Sequence, residues 1–117
     1  MISKEVIKTL YKKYPHRAKS IDDLDKALLF DSVGERHKIS VDIETNRLII
    51  GSLEPTSIFH AIPLAHIHAI VPFEEWIAIV LHSSIIFLNR KTDEVSVHLK
   101  PLPEGFGGKL RNMLGRN

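Results

Sequence analysis

An α+β fold, with two amino-terminal helices packed on an antiparallel sheet of about five strands and a short carboxy-terminal tail or helix, is what this chain of 117 residues leads one to expect. Three features carry that expectation. Residues 1–30 repeat apolar side chains at helical spacing, residues 37–50 and 85–99 alternate like hairpins, and between positions 54 and 90 the only formal charges are Glu74 and Glu75. A stretch so poor in charge belongs to the interior. Its densest parts, residues 76–81 and 85–88, flank His82, Ser83 and Ser84 and read as two short apolar strands covered on both faces.

The first helix starts at Ser3, a side chain suited to accept from a free amide of the first turn, with Ile2 and Ile7 spaced as a hydrophobic staple. Val6, Ile7, Leu10, Tyr11 and Tyr14 form its apolar stripe, and Pro15 pushes Tyr14 out of helical geometry. On the opposite side Lys4, Lys8 and Lys12 stand four apart. Such like-charged pairs cost a helix about 0.2–0.5 kcal/mol each, which marks a face able to meet something negative. Ser20 opens the second helix, with Asp22, Asp23 and Asp25 in its first turn, where carboxylates complement the macrodipole. Ile21, Leu24 and Leu28 are its buried stripe.

Strands follow. Ile39, Val41 and Ile43 alternate with Ser40, Asp42 and Glu44, Thr45-Asn46 turns the chain with Asn46 able to take positive φ, and residues 47–50 return. A second hairpin runs from residues 85–88 through a turn at 89–93 to residues 94–99, with Val95, Val97 and Leu99 inward. Between the hairpins, residues 62–70 are ambiguous. If extended, His66 and His68 share a face, with α-carbons roughly 6.5 Å apart, and two imidazoles so placed are able to share a metal. If residues 64–70 form a short buried turn, as Leu64, Ile67 and Ile70 at every third place suggest, both histidines point outward. From Pro101 the chain is punctuated by Pro103, Gly105, Gly107 and Gly108, so residues 1–100 read as one domain and 101–117 as a joint with a short basic amphipathic tail.

The absence of cysteine removes disulfides, thiolate nucleophiles and cysteine-bound metals, and fits a reducing, cytoplasmic setting. No secretory signal opens the chain, and the charge-free apolar part from residue 76 to 88 is well short of the ~18–20 residues of a membrane helix and is broken by His82, Ser83 and Ser84. A net charge of +2 divides unevenly: six basic side chains face Glu5 in residues 1–19, seven face thirteen acids in 20–108, and Lys109, Arg111 and Arg116 close the chain.

Catalytic signatures fail on inspection. No nucleophile elbow surrounds Ser83 or Ser84, and the stretch ending in Lys109-Leu110 has Pro103 where a phosphate loop needs glycine. Trp76 reads as a core anchor. The expected function is therefore a small, soluble, non-enzymatic interaction or accessory module without a cofactor. Its basic surface is formed by Lys4, Lys8, Lys12, Lys109 and Arg111, and its partner is a protein or a second copy bound through the apolar sheet. Two other classes stay open. One is a metal-dependent enzyme using the seven histidines, with His66, His68 and His82 as first candidates and His60, His98, Glu74 or Glu75 as further ligands. The other is a nucleic-acid binder using the basic ends, with binding that falls steeply with salt.

Overall fold

A computed structural model describes residues 2–20, 23–24, 32–33, 37–52, 57–92 and 94–102. Helix α1 spans Lys4–Lys13, with the Ser3 hydroxyl accepting from the Val6 amide at 3.3 Å. It ends at Tyr14, whose amide donates to the Leu10 carbonyl at 2.9 Å, because Pro15 has no N–H with which to continue. Ile7, Leu10 and Tyr11 are buried, and Lys4, Lys8 and Lys12 are exposed. The second expected helix falls largely outside the described residues. At its start the Asp23 carboxylate accepts from the amides of Lys19 and Ser20, at 2.9 and 3.2 Å.

Among the described residues, eight strands make two antiparallel meanders, not one sheet of about five. The first sheet runs β1 (Ser32–Val33), β2 (His37–Asp42), β3 (Arg47–Ser52) and β4 (Ser57–Pro63), with the two-residue β1 at its edge. The second runs β5 (Ile67–Phe73), β6 (Trp76–Leu81), β7 (Ser84–Asn89) and β8 (Val95–Leu99). The expectation of one sheet failed because the segment linking the hairpins divides between them, β4 extending the first and β5 and β6 the second. Pro63 ends β4, a single 3-10 turn over Leu64–His66 redirects the chain, and β5 opens the second sheet. Pro72 is tolerated in β5 because that strand is an edge.

The sheets face each other across a core of Ile39, Leu48 and Ile50 from the first and Ile67, Ile77, Ile79 and Leu88 from the second. The other side of the second sheet, with Ala69, Trp76, Ala78, Val80, Ile85 and Phe87, packs on Ile7, Leu10 and Tyr11 of α1. Three layers result, and the middle one is apolar on both faces, which is why β6 and β7 have lost polar alternation. Trp76 meets the Phe87 ring edge-on at 6.4 Å.

Three positions expected to face inward do not. Ile43 sits in the four-residue turn after β2 and is 87% exposed, while Asn46 takes the positive φ, 54°. Asp42 closes that turn by accepting from the Thr45 hydroxyl, and this bond, with those from the Thr45 and Glu44 amides, holds its carboxyl below the usual carboxylate range. Val97 and Leu99 are 53% and 77% exposed, because β8 is the outer strand of its sheet. The expected tail beyond residue 102 lies outside the described residues, as do Lys109 and Arg111.

Burial pushes the Tyr11 hydroxyl up to about 12, and it finds no hydrogen-bond partner among the described residues. An unfolded tyrosine ionises near ~10, so the unfolded chain loses this proton first. The stabilisation is present below that pH and disappears as pH rises through the folded value. Tyr11→Phe is expected to be neutral to stabilising at pH 7, since it removes an orphaned buried group. It should also flatten the fall in urea midpoint that the parent shows between about pH 10 and 12.

Candidate functional site

The site follows from one irregularity in β5. Ile67 pairs with Leu81 of β6, yet the next pair is Ala69 with Val80, so His68 is the extra residue of a β-bulge. The bulge resets the alternation, leaving Ile67 and Ile70 in the core between the sheets and Ala69 against α1. The every-third spacing of Leu64, Ile67 and Ile70 is therefore the joint signature of a 3-10 turn and a bulge, not of a helical turn through the segment. His66 and His68 fit neither expected arrangement: His66 is exposed on the 3-10 turn, and His68 is 6% exposed within the sheet.

His68 is tied to the helix. Its Nδ1 lies 2.8 Å from the Tyr14 carbonyl oxygen at the end of α1, one of the carbonyls a helix leaves without an internal partner. A carbonyl only accepts, so Nδ1 carries the proton and donates it. In the neutral ring Nε2 then holds a lone pair, and this atom is buried without a hydrogen-bond partner.

Four residues on, the Ala18 amide donates to the Ile67 carbonyl at 2.9 Å. Ties at Tyr14 and Ala18 stretch Pro15, His16 and Arg17 across the start of β5. The tight turn between β6 and β7 carries His82 and Ser83 to the same place, and the Lys100 amide anchors it by donating to the Ser83 carbonyl at 2.8 Å. The His82 ring stands 6.0 Å from that of His68, tilted by 53°. These pieces line an open cavity of about 650 Å³, within the usual range of small-molecule sites, with Ile62, Leu81 and Pro15 as apolar wall. His16, Arg17, His66, His68, His82, Ser83 and Ser84 supply its polar side, and among the described residues no carboxylate lines it.

The three metal candidates His66, His68 and His82 thus reach one cavity, together with His16. Among the described residues, however, no three histidine, aspartate or glutamate side chains form a group able to hold one ion. His60 is half-buried on β4, and His98 on β8 bonds the Ser96 hydroxyl at 2.7 Å. Glu74 and Glu75 form the turn at the other end of the β5–β6 hairpin. Lys4, Lys8 and Lys12 do not line the cavity. Sequence reasoning missed His16 and Arg17. Their one signal was Pro15, which forces the chain off the helix just before them. No family model, no curated protein and no solved structure matches this chain.

Proposed function

We propose that this chain is a small non-enzymatic binding module whose working site is the histidine-lined cavity, in place of the lysine face. The observation that carries the reading is His68: a buried ring held by the helix terminus, with an unpartnered acceptor, in a wall of exposed imidazoles. A buried acceptor without a partner costs about 1–3 kcal/mol, a cost that the packing around the bulge has to offset. A non-enzymatic role is favoured over catalysis because, among the described residues, the cavity wall offers no acid to relay or orient the imidazoles and no nucleophile paired with a base.

The test is a fragment library screened by amide and imidazole NMR on the whole chain. Saturable shifts centred on Tyr14, Ile67, His68 and Ser83 are expected from a subset of polar fragments. A library in which fragments bind elsewhere but none reaches those residues would refute the reading.

The metal reading has one observation in its favour, since ligating imidazoles usually donate their other N–H to a carbonyl or carboxylate, as His68 does. It predicts stoichiometric zinc uptake with a raised melting temperature, and substoichiometric uptake eliminates it. Self-association belongs to the same proposal as a secondary role, supported by the unpaired β8 edge with Val97 and Leu99 exposed. Light scattering that gives a monomer across micromolar concentrations removes it.

A further inference from the structure

Resting on the self-association proposed for the β8 edge and fixing its geometry, we infer that two copies of this chain join through β8, antiparallel about a two-fold axis at Val97. The backbone decides which groups are on offer. The Asn89 amide donates to the Glu94 carbonyl at 3.0 Å and the Lys100 amide to the Ser83 carbonyl at 2.8 Å. Both bonds lie in the β7–β8 register, so Glu94, Ser96, His98 and Lys100 turn their backbone groups toward β7. Val95, Val97 and Leu99 turn theirs the other way, where no strand pairs with them among the described residues.

This strand is complementary to itself in one register. With Val97 opposite the partner's Val97, Val95 lies opposite the partner's Leu99 and Leu99 opposite the partner's Val95, so every outward amide and carbonyl of these residues meets another. The same register sets Glu94 against the partner's Lys100 and Ser96 against the partner's His98, at the closer-spaced pairs where side chains interact most directly. Glu94 and Lys100 are both exposed and carry opposite charge. The faces agree as well. Val95 packs on the core between the sheets and Val97 and Leu99 continue that face into solvent, so pairing joins two exposed apolar stripes. On the opposite face the His98 ring stands against Phe87 at 5.5 Å and the Lys100 amine over the Tyr11 ring at 5.3 Å. Sliding one strand by two residues is the smallest step that keeps the backbone groups matched. One such slip sets Val95 opposite Pro101, which has no N–H, the other sets Leu99 opposite Asp93, and both part Glu94 from Lys100.

Sedimentation velocity on the full chain tests this, because charge reversal reads the register. The parent is expected to dimerise in the micromolar range. Glu94→Lys and Lys100→Glu should each weaken the dimer at least about tenfold, since each sets like charges opposite one another on both sides of the axis. An equimolar mixture of these two variants should recover a heterodimer within about threefold of the parent affinity, because opposite charges then meet at both ends. Lys8→Glu on the exposed face of α1 should change nothing. Val97→Pro removes an outward N–H and no bond to β7, so it should keep the parent's circular dichroism and be monomeric. If that variant does not fold, the charge reversals decide on their own.

A parent that stays monomeric across micromolar concentrations overturns the inference together with the self-association on which it rests. A dimer that both reversed variants keep, or a mixture that associates no more tightly than its components, overturns the register and leaves self-association standing.

Discussion

Phe87→Ala is expected to destabilise the protein by about 3–5 kcal/mol, a large share of the ~5–15 kcal/mol that holds a domain of this size together. Phe87 is fully buried on the helix-facing side of the middle layer, where Trp76 meets it at 6.4 Å and His98 at 5.5 Å, both nearly perpendicular. Truncation removes a large apolar surface and leaves a void lined by Trp76 and the α1 stripe, which a rigid sheet cannot collapse to fill. Urea unfolding gives the readout as a lower midpoint with unchanged slope. Val97→Ala on the exposed edge strand serves as the control and should cost under about 0.5 kcal/mol. A Phe87→Ala penalty no larger than the control's would mean that α1 does not pack as a third layer.

Deleting a residue from the middle layer is expected to have opposite consequences at two positions. Loss of Ala78 from β6 exchanges the two faces for one part of the strand, moving the Ile79 side from the core between the sheets toward α1 and Val80 the other way. That change should leave no cooperative unfolding transition. Loss of His68 instead removes the extra residue of the bulge and restores plain alternation, with Ile67 and Ile70 still between the sheets and Ala69 still on the helix side. This deletion should fold, at a cost on the order of 1–3 kcal/mol for the lost tie to Tyr14 and local rearrangement, while abolishing binding at the cavity. Circular dichroism and a urea titration of both deletions decide the matter. An unfolded His68 deletion beside a folded Ala78 deletion would reverse the roles assigned to the bulge and the regular strand.

The contrast shows what was legible in the chain and what was not. The first helix was readable from Ser3, the Ile7, Leu10 and Tyr11 stripe and Pro15, because each acts within a turn of its own position. The apolar runs of β6 and β7 announced two covered faces before any partner was known, since only a middle layer loses polar alternation. The division into two sheets was hidden in residues 57–73. There the local pattern mixes a strand, a 3-10 turn and a bulged strand, and the resulting three-residue spacing imitates a helix. His66 and His68 were singled out correctly as a question, but their answer depended on a bulge that is fixed by pairing with β6. His16 and Arg17 lie some fifty residues from His68, and only the long-range bonds at Tyr14 and Ala18 bring them together. The histidine excess was visible in the sequence, whereas the convergence of four of them was a property of topology.

What most needs testing is that the His68 ring, its Nδ1 proton held by the Tyr14 carbonyl, stands in the wall of a cavity that binds ligands. Long-range proton–nitrogen correlation of the imidazole rings at neutral pH tests this most directly, first on the free protein and then with a cavity-binding fragment added. The His68 ring should carry a proton on Nδ1, and its nitrogen signals should shift saturably as a fragment binds. A ring without a proton on Nδ1, or His68 nitrogen signals that stay fixed while other histidines respond, would contradict it.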